Sequence, residues 1–166
     1  MKTSPTYHSC STLLKHLITV FFAPLIGATS LLFFTAAIST PSFAGTFKVI
    51  ARDGTVWFDQ TQTWTKGTSV GKVTFDTLTN AVKEKLLTDF KGFESGVLSI
   101  NDLGNDMVVI SDTEMKAYGW CFSVDKIAPD TMADETPLTT GKEDIVWFYA
   151  FAHLKDGNWI SQCERD

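Results

Sequence analysis

Residues 1–44 decide how much chain is left to fold and where. Lys2 and Lys15 sit in a polar leader that carries no acidic residue. An apolar run follows from Leu17 to Ile38, and Ser42-Phe43-Ala44 places small residues on either side of Phe43 just before Gly45. A basic start, an apolar middle and a small-x-small end form the pattern of a secretory signal peptide. The expected organisation is a signal peptide over 1–44 and a single exported domain over 45–166, secreted or periplasmic. The run is also long enough to span a bilayer, so an uncleaved anchor at 17–38 is the alternative. Pro41 and the small-x-small site favour cleavage, after which no segment is expected to insert in a membrane.

The 122 residues of 45–166 suffice for one ordinary core. They hold 12 basic and 19 acidic side chains, a balance of −7. Such a surface repels phosphate backbones, so nucleic acid is excluded as an expected partner, and an anionic membrane surface is disfavoured. Only two cysteines, Cys121 and Cys163, follow the leader. In an oxidising compartment they are expected to form one disulfide. The alternative is a reactive thiol, but no Lys, Arg or His flanks Cys121 to lower its pKa.

The local pattern is mostly strand. Thr46–Arg52 and Thr55–Trp64 flank Asp53-Gly54, a hairpin turn signal. One helix follows: Phe75, Leu78, Val82 and Leu86 recur at helical spacing, with Thr74 as N-cap. Val97–Ile100, Met107–Ile110, Tyr118–Asp125, Ile145–His153 and Trp159–Cys163 read as strands, with Asp156-Gly157 as the last turn and 128–140 as a loop. The class is α+β, one main helix packed on a mixed β-sheet.

Several words in this order resemble a bacterial family of unknown function, related to the C-terminal β-grasp domain of transcobalamin and intrinsic factor. They are Val73-Thr74-Phe75-Asp76-Thr77-Leu78, then Tyr118-Gly119-Trp120-Cys121-Phe122-Ser123-Val124-Asp125, then Gly141-Lys142-Glu143-Asp144-Ile145-Val146-Trp147-Phe148-Tyr149. The likeness spans roughly Thr46 to Phe151. The family places Asn-Gly after the aromatic strand, where this chain has Asp125-Lys126, and this chain adds a hairpin from His153 to Cys163. The resemblance implies a ubiquitin-like β-grasp fold and an extracytoplasmic binding role. In transcobalamin the related domain covers a corrinoid, and fold alone does not transmit that function.

Ile145–His153 is the most suggestive segment. Its odd-numbered face carries Ile145, Trp147, Tyr149, Phe151 and His153, and its even-numbered face carries Val146, Phe148, Ala150 and Ala152. A strand apolar on both faces is covered on both. Either the 128–140 loop and last hairpin close the second face, or it is an aromatic platform for a flat ligand, a glycan or another chain. On the platform reading Trp64, Trp147, Tyr149, Phe151 and His153 bind the ligand, with Tyr149 near the rim because its hydroxyl needs a partner.

His153, the only histidine after the leader, reads as a general base, an axial ligand of a corrinoid or haem, or a strand-end residue. Neither Gly-x-Ser-x-Gly nor His-Glu-x-x-His occurs. Asn101–Asp106 is oxygen-rich enough for calcium and equally ordinary as a turn. The sequence requires no cofactor, names none and carries no catalytic motif. The leading expectation is an exported, non-enzymatic domain that binds a small molecule, glycan or protein through an aromatic sheet face. The alternatives are a small extracytoplasmic enzyme or metal-dependent protein centred on His153, and a structural or adhesive envelope subunit that pairs through an edge strand.

Overall fold

The computed structural model describes residues 44–166, which belong to one compact unit. The expected signal peptide, apart from Ala44, and the anchor alternative at 17–38 lie outside the described residues. Among the described residues no helix is long and apolar enough to cross a membrane.

Strand β1 (Gly45–Ile50) and β2 (Val56–Gln62) form an antiparallel hairpin. Gly54 closes the turn at φ +85°, as Asp53-Gly54 suggests. Helix α1 (Val70–Lys83) follows. A small antiparallel sheet comes next: β3 (Phe90–Phe93), β4 (Gly96–Ile100) and β5 (Leu103–Gly104). Then come β6 (Asp106–Ser111), β7 (Glu114–Val124), β8 (Ile145–Lys155) and β9 (Asn158–Glu164).

The large sheet runs β2-β1-β8-β7-β6, with β9 pairing the outer half of β8. β1 is parallel to β8 and the other pairs are antiparallel, so the sheet is mixed and the class is α+β.

Helix α1 begins earlier than the apolar spacing suggests. Ser69, not Thr74, caps it, accepting the Lys72 amide at 3.2 Å. The buried stripe is therefore Val70, Val73, Thr74, Leu78 and Ala81, which still follows helical spacing. Phe75 turns to the margin, edge-on to Phe90 at 5.9 Å, and Leu86 lies beyond the helix, half exposed. Gly71 lets two turns approach: a Cβ there would meet the Glu94 carbonyl oxygen at 1.8 Å and the Asp134 amide nitrogen at 2.9 Å. The main core joins this stripe to Phe47, Val49, Phe58, Ile145 and Trp147, and takes in Ala133 and Leu138 from the loop.

Asp125-Lys126 turns with φ of 50° and 70°, and Asp156-Gly157 with 48° and 75°. Both are tight turns with two left-handed residues, the geometry that Asn-Gly or Asp-Gly favours. Asp125-Lys126 thus makes the turn without glycine, held by Asp125 N–H to the Asp144 carbonyl and Asp144 N–H to the Asp125 carboxylate, each at 2.9 Å.

The disulfide forms as expected: Cys121 and Cys163 are bonded with Cα atoms 5.8 Å apart. Cys121 pairs with Phe148 across β7 and β8, so the bond lies on the even-numbered face of β8 and fastens β9 to β7.

Candidate functional site

The structure overturns an open platform on the odd-numbered face of β8. Trp147 is 1% exposed and Tyr149 2%. The Trp147 indole lies under α1 and donates to Thr74 Oγ1 at 2.8 Å. Tyr149 is buried as well, not at a rim, because its hydroxyl finds a partner inside, donating to the Gly104 carbonyl at 2.7 Å. Phe151 is buried against Tyr118 with ring centres 5.5 Å apart. The small β3–β5 layer supplies Leu103 and Gly104 to this cover, and the sequence pattern did not reveal that layer.

Trp64 is half-buried and donates its indole N–H to the Glu143 carbonyl at 3.0 Å. Gly141 sits beside it at φ +79°, where a Cβ would meet the Trp64 carbonyl oxygen at 2.6 Å. Trp64 therefore pins the turn that feeds β8. The same turn wraps the buried Glu143 carboxylate, which accepts from the amides of Thr139, Thr140 and Lys142. Burial pushes this carboxyl up, but the amides outweigh it and hold it at about 2 rather than 4.5. A carboxyl depressed in the fold adds stability above its ordinary range and loses it as pH falls toward the folded value. Glu143→Gln is expected to cost about 3 kcal/mol at pH 7, with the gap closing between pH 4.5 and 2. Urea melts of both forms across that range check this, and parallel curves would contradict it.

His153 is half-buried, with Nε2 2.8 Å from Glu114 Oε1; Lys155 Nζ lies 3.6 Å from Glu114 Oε2. The hydrogen bond from His153 is the main cause holding the Glu114 carboxyl low. His153 therefore stands near a strand end, hydrogen-bonded to a carboxylate that also faces Lys155, and apart from Trp64. Asn101 and Asp102 form the two-residue turn between β4 and β5, with φ of 49° and 62°. Asn101 Oδ1 accepts from the Thr88 amide and hydroxyl. Among the described residues no group of three or more His, Cys, Asp or Glu side chains could hold a metal ion.

The exposed apolar surface lies elsewhere. β6 ends the sheet, and its apolar residues face solvent: Met107 is 57% exposed, Val108 43%, Val109 66% and Ile110 51%. Register carries the apolar surface inward on the face that also bears the disulfide. Val109 pairs with Met115, Met115 with Leu154, and Leu154 with Trp159, itself 50% exposed. Paired residues share a face, so these four side chains make one row across four strands. Beside it, Met107 pairs with Ala117 and Ala117 with Ala152. Met107, Val109, Met115 and Leu154, together with the Asp112 and Asp156 turns, line a shelf of about 450 Å³. Sequence reading missed this site because an unbroken apolar run such as Met107–Ile110 looks like a buried strand.

A second, shallower depression of about 350 Å³ lies among Arg52, Trp57, Asn101, Asp102 and Leu103. Trp57 ends an aromatic chain that passes through Trp120, at 6.0 Å, to Tyr149, at 5.5 Å.

No known family model and no curated protein matches this chain. A solved structure of a candidate metal-binding protein from Ruminococcus gnavus ATCC 29149 is similar at 21% identity, with a TM-score of 0.39, covering 64% of this chain and 94% of that one. At that level the likeness assigns neither fold nor chemistry here.

Proposed function

We propose that the chain is an exported β-grasp domain whose work is to bind another polypeptide along β6. The β-grasp reading is supported by an opening hairpin, a crossing helix and a parallel β1–β8 pair at the centre of the order β2-β1-β8-β7. The leader pattern and the disulfide support export.

The observation that carries the binding role is the bare edge. Natural edge strands are guarded by Lys, Pro, bulges or cover, and β6 has only a bulge near its Ser111 end. β6 has four exposed apolar residues in succession, and the one lysine opposite it is turned inward: Lys116 pairs with Val108, and its Nζ sits 3.8 Å from the centre of the Phe151 ring. An extended segment added to β6 would gain main-chain hydrogen bonds from the edge and side-chain contacts from the shelf. This is the edge-pairing alternative of the sequence reading, moved ahead of the aromatic platform because the platform is core.

The test is a peptide selected from a random library for binding to the protein. Its affinity is expected to fall at least about tenfold in Leu154→Asp, which puts an unpaired charge in the shelf. It is expected to hold in Trp57→Ala. The opposite pattern would move the site to the Trp57 depression. That is the second reading, in which Trp57 stacks a flat ligand such as a sugar or corrinoid.

A further inference from the structure

We infer that the segment β6 pairs with is β6 of a second copy, antiparallel, with Val108 on the two-fold axis. The inference rests on the edge reading above and names its partner.

A two-fold axis perpendicular to a sheet joins two edges antiparallel and keeps each face continuous. It therefore pairs residues whose numbers sum to an even value, so that a residue on the axis meets itself. The two middle residues of β6, Val108 and Val109, are the centres that pair most of the strand. On Val109, Asp106 would pair with Asp112 of the second copy, two carboxylates together, and Met107 with Ser111. On Val108, Met107 pairs with Val109 of the second copy, both on the shelf face, and Asp106 meets Ile110. The charge pattern thus selects Val108. It also selects antiparallel over parallel pairing, because Asp106 is the only charge within the strand and an in-register parallel pair would set two of them side by side.

The backbone agrees with this choice. The Met107 N–H is held by the Asp106 carboxylate at 2.8 Å, so it is directed off β7. In an antiparallel ladder such groups alternate, which makes Met107 and Val109 the residues that present N–H and C=O at the open edge. These are the two residues that a Val108-centred pair brings opposite one another. The Asp106 carboxylate gives up the Met107 N–H when a carbonyl of the second copy takes it. Pairing also sets Met107 of one copy against Val109 of the other, so the two shelves run together as one apolar surface. The bulge between Val109 and Ser111 ends the pairing on the hairpin side.

The register is testable by cross-linking the full chain, expressed with its own leader and purified after export. On the axis two residue-108 positions face each other as a non-hydrogen-bonded pair with Cα atoms about 4.5 Å apart, within disulfide range. Val108→Cys is therefore expected to give a covalent dimer under air oxidation. Val109→Cys, displaced along the strand from its own copy, is not. Sedimentation is expected to show a dimer for the wild type and a folded monomer for Val108→Lys, because the position is exposed in the single chain. Cross-linking through Val109→Cys instead would overturn the register. A wild type that stays monomeric, with neither cysteine variant cross-linking, would overturn the second copy. If that monomer still binds the selected peptide and loses it in Leu154→Asp, the edge reading stands and only the partner is wrong. If it binds no peptide, both fall.

Discussion

Trp147→Ala is expected to unfold the protein early, not to disarm a surface. The side chain is fully enclosed between the sheet and α1, with Phe122 tilted against it at 5.0 Å. Removing a buried aromatic ring costs about 3–5 kcal/mol. The change also strands the Thr74 hydroxyl, itself 1% exposed, without its indole donor. For a domain of this size the loss corresponds to a drop of roughly 15 °C in melting temperature. Thr74→Ala in the Trp147→Ala background should then cost less than Thr74→Ala alone, because the pair acts as a unit. A Trp147→Ala protein that melts with the wild type would mean that α1 does not sit on this ring.

The second large effect belongs to the disulfide. It closes a separation of 42 residues, worth about 4 kcal/mol in the chain-entropy account. Replacing both cysteines by alanine is expected to lower stability by about that amount. The loss should be uneven. β9 pairs only with β8, and its partners are interrupted by register shifts. Beyond it the terminal Asp166 holds Arg52 at 2.9 Å and accepts from the Tyr118 hydroxyl at 3.3 Å. Without the bond, amides of 158–164 should exchange first while those of β1 and β8 stay protected. Loss of protection everywhere at once would show instead that β9 folds with the core.

The parts of the fold visible in the sequence were those set by local chemistry. Asp53-Gly54 and Asp156-Gly157 can scarcely be read as anything but turns. Cys121 and Cys163, the two cysteines of the 45–166 region, have one simple pairing. The two-sided apolar character of Ile145–His153 marked a strand but left open whether its odd-numbered face is core or platform, and that face is core. The whole cover was not visible: α1 lies over Trp147, but β5 of the small β3–β5 sheet closes over Tyr149. That small sheet is held by contacts between short segments with mixed patterns, such as Phe90–Phe93. Its absence from the reading turned a core into a platform.

The helix shows the same limit on a smaller scale. Phe75, Leu78, Val82 and Leu86 fit helical spacing, yet the stripe led by Val70 and Val73 is the one buried. The capping hydroxyl of Ser69 starts the helix a turn sooner. Exposure was the least legible property of all. Met107–Ile110 and Ile145–Phe148 are both apolar runs; one is an open edge and the other the centre of the sheet. Only the strand order separates them.

Hydrogen exchange at the backbone amides of Asp106–Ser111, with and without the selected peptide, tests the binding role of β6 most directly. Edge pairing predicts strong slowing of the Val109 amide, whose N–H points off the sheet, and little change among residues 51–57 and 101–103 around the Trp57 depression. Unchanged exchange in β6 together with new protection around Trp57 would contradict it.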